Sequence, residues 1–413
     1  MRRRLLQLCA FLLIPALSAV TPLIAIPAIT ATSGAAGWEA YALGLSIGSA
    51  GGVIVELGWP VTGPQRVAAE SPGARWTTLV TSVRTRLLAL VVVSPIAIAV
   101  SALVTVNTDS DHAGTAALMA LASVTAGLSG NWFFTGTGHP LRILTSEALP
   151  RAVLITGSSV ALLAGAPLET VPASYLLSAI ISPIVSLLLA RRDRESSSDF
   201  SFADDAAAIR EQLAAMGVRS IGALYMALPI TLVGIFAPSA LSTFAAVERL
   251  MRMGLTVLQA VPNVLQTWIG SARGPGERRH RATRSILICG AVGVLAGMVF
   301  TVATPVVTPF LFTGTVEVQW SLAALGGIVV ALVCISRATG GLALVAYRRV
   351  PTLTVSTAAG AVVGVPAISL LAAAGGAAGG FVGEILAEVA AITVQTFALR
   401  SAMRADDHGT DPP

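Results

Sequence analysis

The chain has 413 residues, 54% of them hydrophobic and 11% charged, with mean hydropathy +0.80 and formal net charge +5. A soluble domain carries about a quarter charged residues, so an ordinary soluble globule is excluded. All 26 basic residues are Arg, and without a Lys there is no Walker A lysine, kinase lysine or Schiff-base lysine.

Met1-Arg2-Arg3-Arg4 opens the chain, and an apolar run follows from Leu5 to about Ala31. Secretory apolar regions span only about 7–15 residues, so this run predicts a first transmembrane helix. A span needs roughly 20 mostly apolar residues. Twelve segments qualify, near 8–31, 40–60, 86–106, 115–134, 151–167, 172–190, 217–236, 240–265, 285–304, 318–345, 352–373 and 380–399. Pro15, Pro22 and Pro27 predict a bent or unwound first helix.

The loops test that count. With the N-terminus inside, the inner stretches collect 23 of the 26 arginines, and the outer loops carry none. Arg84, Arg86, Arg142 and Arg151 belong to the inner set on this reading, while Glu39, Asp109, Asp111, Glu169 and Glu317 lie outside. Such asymmetry is an orientation signal, with both termini cytoplasmic. The +5 charge is read the same way and not as a nucleic-acid signal.

The longest polar stretch runs from Arg191 to Met216. Ser196-Ser197-Ser198-Asp199 is linker-like, and Ser201 three residues before Asp204 predicts a capped helix to Ala215 at the inner surface. The expected organisation is a six-helix bundle over 1–195, a linker with an interfacial helix over 196–216, a second six-helix bundle over 217–400, and a polar tail over 401–413. Six is even, so the two halves run parallel, a recurring transporter design.

Cys9, Cys289 and Cys334 sit in apolar runs, and His112, His139, His280 and His408 are dispersed. Neither set has metal-ligand spacing, so no metal and no cofactor is expected. Asp109-Ser110-Asp111 is too short a loop for a glycosyltransferase acid motif. Thr135-Gly136-Thr137-Gly138 lacks the strand–loop–helix context of a phosphate loop.

Charge inside a membrane costs about 2.5–3.5 kcal/mol per residue on insertion scales, so each instance is a candidate site. Segment eight carries Glu248, Arg249, Arg252, Gln259, Asn263 and Gln266. At 100° per residue all but Arg249 fall on one stripe, about 27 Å long. Counted from Pro238, Arg249 and Arg252 lie about 16–21 Å deep. Two readings stand: the lining of a water-filled cavity, or a Glu248–Arg252 pair joining helices. Segment twelve places Glu384 and Glu388 four apart, with Gln395 seven further on. They act either as counter-ions to the arginines or as a proton-coupling pair. Glu56, closing segment two, is a coupling or counter-ion candidate or a snorkelling interfacial acid, and Arg337, late in segment ten, lines the inner mouth or snorkels there.

Several of these runs resemble a known family. Pro22-Leu23-Ile24-Ala25-Ile26-Pro27, Gly34-Ala35-Ala36-Gly37-Trp38, Glu56-Leu57-Gly58-Trp59 and Gly63-Pro64-Gln65-Arg66 fit it. So do Asn131-Trp132-Phe133-Phe134-Thr135-Gly136, Leu149-Pro150-Arg151 and Ala246-Val247-Glu248-Arg249-Leu250. Together they look like Wzx-type polysaccharide flippases, in the superfamily shared with multidrug-and-toxin extrusion (MATE) transporters. The resemblance covers nearly the whole chain through soft motifs.

It implies an all-α polytopic protein of two six-helix bundles around a cationic central cavity, in a bacterial cytoplasmic membrane and not an enzyme. It implies alternating-access transport of a polyprenyl-diphosphate-linked oligosaccharide, by a monomer, with membrane lipids, a polysaccharide polymerase and glycosyltransferases as partners. Guanidinium forks suit a diphosphate. On this reading Arg249, Arg252, Glu248, Gln259, Asn263, Gln266 and Arg337 bind substrate, while Glu384, Glu388 and Glu56 are coupling or counter-ion groups. One departure is expected: the first half has no mid-membrane Arg. The alternative is a cation-coupled multidrug exporter of the same fold, whose cavity would be acidic or aromatic.

Overall fold

A computed structural model describes residues 2–106, 111–191 and 202–407. They contain helices and turns and no strand. The Ser196–Ser201 stretch, Asp109, Ser110 and the tail from 408 lie outside the described residues. In chain order the helices are α1 (Arg2–Val55), α2 (Trp59–Ala69), α3 (Pro72–Val106), α4 (Ala113–Thr125), α5 (Asn131–Gly136), α6 (Pro140–Ile143), α7 (Leu149–Leu163) and α8 (Thr170–Ala190). There follow α9 (Phe202–Phe236), α10 (Leu241–Leu258), α11 (Ala260–Gly270), α12 (Pro275–Leu311), α13 (Trp320–Ser336) and α14 (Val350–Asp407).

Two of these are helix pairs joined at glycine. Residue 34 in α1 has φ 61°, and residue 376 in α14 has φ 58°, where a Cβ is strained. The chain then makes twelve helical passages among the described residues, one over each predicted segment. The prolines do not unwind the first, because within α1 only Gly34 leaves helical geometry. Seven stretches are long and apolar enough to cross a membrane, and the protein is an all-α, multi-pass membrane protein. The passages over 140–163 and 241–270 fall short of that test, and both carry buried charges.

The chain divides into two compact units, Met1–Ala227 and Leu228–Pro413. In the first, α1 and α4 meet through a run of small residues. A Cβ on Gly44 would stand 2.3 Å from the Ala116 carbonyl oxygen, and one on Gly48 would stand 2.5 Å from that of Ala120. Apolar lipid gives helices no reason to associate, so close backbone approach supplies the packing energy. In the second unit Gly297 of α12 meets Gly327 of α13 in the same manner.

The predicted surface helix and the seventh span are a single helix, α9, and the boundary between units falls inside it. Its first turns are held by the first unit. Arg84 pairs with the buried Asp205 at 2.7 Å, Arg66 pairs with Glu211 at 3.2 Å, and Thr62 donates to the buried Gln212 at 2.7 Å.

Two helix ends, one in each unit, close in the same way. After α5 the amide of Gly138 (φ 71°) donates to Thr135 O and that of His139 to Phe134 O. After α13, Arg348 (φ 57°) donates to Val345 O and Arg349 to Leu344 O. Both are Schellman-type helix ends, 210 residues apart. A proline follows each, Pro140 and Pro351, and the next helix begins.

Candidate functional site

In the second unit α10 carries the expected charges. Arg252 pairs with Glu248 four residues earlier at 2.6 Å, and Glu248 is fully buried. Glu384 of α14 is buried, and both it and Glu388 lie within electrostatic range of Arg252. Glu388 also acts on Arg337. The structure therefore brings Glu248, Arg252, Arg337, Glu384 and Glu388 together.

Arg249 stands outside that group. Its Nε is buried and has no hydrogen-bond partner, and it makes no ion pair among the described residues. Three arginines and three carboxylates balance formally, and the acids act on Arg252 and Arg337.

The polar stripe does not run along one helix. The helical hydrogen-bond ladder is interrupted at Gln259, whose backbone stays helical at φ -60° and ψ -21° but whose amide turns to Val257 O, and α11 begins one residue later. The Leu255 carbonyl beside that break accepts from Arg337 Nη1 at 2.7 Å. Beyond it Gln259, Asn263 and Gln266 are exposed, with Gln259 Nε2 donating to Asn263 Oδ1 at 3.3 Å. Gln395 is structural: its amide donates to Ser336 and Ser356 and accepts from Thr339.

The first unit holds what the sequence did not show. Arg151, assigned above to an inner loop, lies midway along the helical passage 140–163. Its Nη2 pairs with Glu147 at 2.9 Å, and its guanidinium lies 5.3 Å from the centre of the Tyr175 ring. Glu147 sits in a π-helical turn, Leu144–Ala148; such turns are frequent at functional sites. Arg86 is likewise a helix-interior residue, fully buried, and not a loop charge. Helix-interior arginines are therefore present in the first unit as well as in the second.

Arg86 plugs a second helix break. Between α4 and α5 the chain tightens over Ala126–Leu128 and extends at Ser129. The carbonyls freed there need donors. Arg86 Nη1 reaches Gly127 O at 3.2 Å and Ser129 O at 2.7 Å, and its Nε reaches Ser82 O at 3.1 Å.

Around this break lies a cavity of about 450 Å³, lined by Glu56, Asn131, Trp132, Glu147, Arg151 and Tyr175 among others. Leu57, in the left-handed region at φ 52°, closes the turn after Glu56. Trp59 stacks on Trp132 with ring centres 5.4 Å apart. Two separate sequence runs, around Glu56 and around Asn131, thus converge on one site.

No protein-family model matches the chain, and no curated protein matches it. Solved structures do. An inward-facing multidrug-resistance transporter of the MATE family, MOP superfamily, aligns with TM-score 0.68 and 14% identity, over 98% of this chain and 99% of that one. The lipid II flippase MurJ, in an inward closed conformation, aligns with TM-score 0.73 and 10% identity, over 98% and 90%. A MOP-superfamily transporter from Pyrococcus furiosus, described as having a binding pocket of reversed polarity, gives 0.53 and 15%, over 95% and 93%. The fold is therefore the one shared by MATE-type exporters and this lipid flippase.

Proposed function

We propose that the protein flips a polyprenyl-diphosphate-linked oligosaccharide from the inner to the outer leaflet of a bacterial cytoplasmic membrane, by alternating access. It acts without enzymatic chemistry, as a monomer with both termini cytoplasmic, and hands its cargo to a polysaccharide polymerase after glycosyltransferases have built it.

One observation carries this reading: Arg249, half-buried on a mid-passage helix, whose buried Nε has no hydrogen-bond partner among the described residues. A buried polar group left without a partner is costly, so this placement suits an anionic visitor. A diphosphate supplies paired oxygens that a guanidinium engages as a fork. Arg252 is pre-positioned by Glu248, and Glu384 and Glu388 serve as counter-ions that keep the empty site stable. Organic cations, the cargo of the alternative exporter, gain nothing from Arg249.

The test is Arg249→Ala in a bacterium deprived of its own flippase. The variant inserts and purifies as the parent does but restores no surface polysaccharide. Truncating one partner of a desolvated charge pair costs about 2–5 kcal/mol, a loss of roughly thirtyfold or more in transport. Arg249→Lys, a point charge without the fork, recovers part of the activity. Normal surface polysaccharide with Arg249→Ala overturns the proposal.

A further inference from the structure

We propose that the cavity of the first unit is a carbohydrate subsite that receives one or two neutral sugar rings. Its volume of about 450 Å³ lies within the roughly 300–1,000 Å³ of small-molecule sites. Its charges are matched. Glu147 is paired with Arg151 at 2.9 Å, and Glu56 lies within electrostatic range of Arg86 immediately behind the wall. With Arg86 counted, two acids face two arginines and the site is formally neutral. Among the described residues no group of three or more His, Cys, Asp and Glu is placed to hold a metal ion.

What the cavity offers is unused hydrogen bonding. The indole Nε1 of Trp132, Oδ1 of Asn131, Oγ of Ser123 and Nε of Arg151 are buried and have no partner among the described residues. All four residues line the cavity, and Trp132 and Ser123 are each more than nine-tenths buried. Two of these atoms are donors, one is an acceptor, and the serine hydroxyl is both. Buried polar groups left unmade cost about 1–3 kcal/mol each, so this set is built for a ligand with many hydroxyls. Sugar hydroxyls donate and accept alike.

The remaining requirement of sugar recognition is an aromatic surface for the C–H face of a pyranose, because the electron-rich face of an aromatic ring attracts positively polarised edges. Trp132 and Tyr175 are the aromatic residues of the lining, Trp132 stacked on Trp59 and Tyr175 beneath the Arg151 guanidinium. That the bound sugar belongs to the transported lipid rests on the flippase reading. That the cavity binds sugar does not.

The experiment uses the full chain in lipid nanodiscs and saturation-transfer NMR with two probes. One is a panel of free neutral mono- and disaccharides, and the other is inorganic pyrophosphate. Expected is transfer to at least one saccharide, weakened at least tenfold by Asn131→Ala and by Thr135→Ala, and unchanged by Arg249→Ala, which instead loses pyrophosphate. Thr135 is exposed at the cavity rim, so its truncation leaves the fold intact should Asn131→Ala fail to assemble. No saccharide transfer with pyrophosphate still bound overturns the subsite and leaves the flippase reading standing. Saccharide transfer that survives both cavity variants overturns the assignment to this cavity. Saccharide binding without any pyrophosphate binding upholds the subsite and removes the diphosphate reading.

Discussion

Both units hold arginines inside membrane helices, and each uses one to plug a broken helix. Arg86 caps two carbonyls of the break between α4 and α5, and Arg337 caps one beside the break between α10 and α11. There the likeness ends. In the first unit both arginines are engaged and open space remains beside them. In the second the charges are packed together, and Arg249 Nε has no hydrogen-bond partner among the described residues. The same device therefore stands beside an open cavity in one unit and beside packed charges in the other.

The largest effect expected from breaking this contrast is at Glu248. Removing one partner of a buried pair costs about 3–5 kcal/mol, because the other is stranded. Glu248→Ala should lower unfolding stability by that amount, read by denaturant titration in mixed micelles. The double change Glu248→Leu with Arg252→Met should recover most of it, since apolar replacement of a buried pair is often neutral. A double variant as unstable as the single one would mean the pair does more than balance charge.

Arg86→Met comes next. Hydrogen bonds from charged donors contribute about 1.5–3 kcal/mol each, and two freed carbonyls lose theirs, so a loss near 3 kcal/mol is expected. Arg337→Met strands one carbonyl and should cost about half as much. Equal losses at the two positions would erase the distinction between a double and a single plug. Gly63→Ala probes the cavity wall itself. Its Cβ would stand 2.2 Å from the Trp132 ring, and overpacking of that kind costs about 1–3 kcal/mol. Sugar binding should fall with it, while Arg249 keeps its pyrophosphate.

The sequence made the fold legible because hydropathy and arginine bias report the same alternation. All twelve passages could be placed from runs such as Leu87–Val106 and Trp320–Ser336. The candidate site was half legible. Glu248, Arg249 and Arg252 stood out because they interrupt a run between Pro238 and Pro262. Arg86 and Arg151 did not, because each lies just inside the point where hydropathy marks a helix as beginning. α3 in fact starts at Pro72, and the fifth passage starts at Pro140. Helices that project beyond their apolar stretch make a buried arginine look like a loop arginine. Pro140, opening a helix ahead of Arg142, Glu147 and Arg151, was the available signal: proline favours the first turn, and Glu147 is four residues before Arg151. The cavity had no such signal, since Glu56 and Asn131 are brought together only by the packing of α1 against α4.

The smallest expected effect lies in the first unit where Arg66 bonds Glu70 at 3.0 Å and Glu211 at 3.2 Å. Two carboxylates meet one guanidinium there. Its side chain is nevertheless 41% exposed and that of Glu211 61%. Water and salt screen such contacts, with a Debye length of about 8 Å at physiological ionic strength. Exposed pairs contribute about 0–1 kcal/mol. Arg66→Ala should therefore shift stability by less than 1 kcal/mol, and raising the salt should remove what remains. Asp205→Ala, which strands Arg84 from a buried carboxylate at 2.7 Å, should cost more than Arg66→Ala and respond less to salt. If Arg66→Ala proved the more damaging, α9 would be held by its exposed contacts. Burial would then no longer rank the polar groups of the first unit, and the contrast drawn between the two units would lose its physical basis.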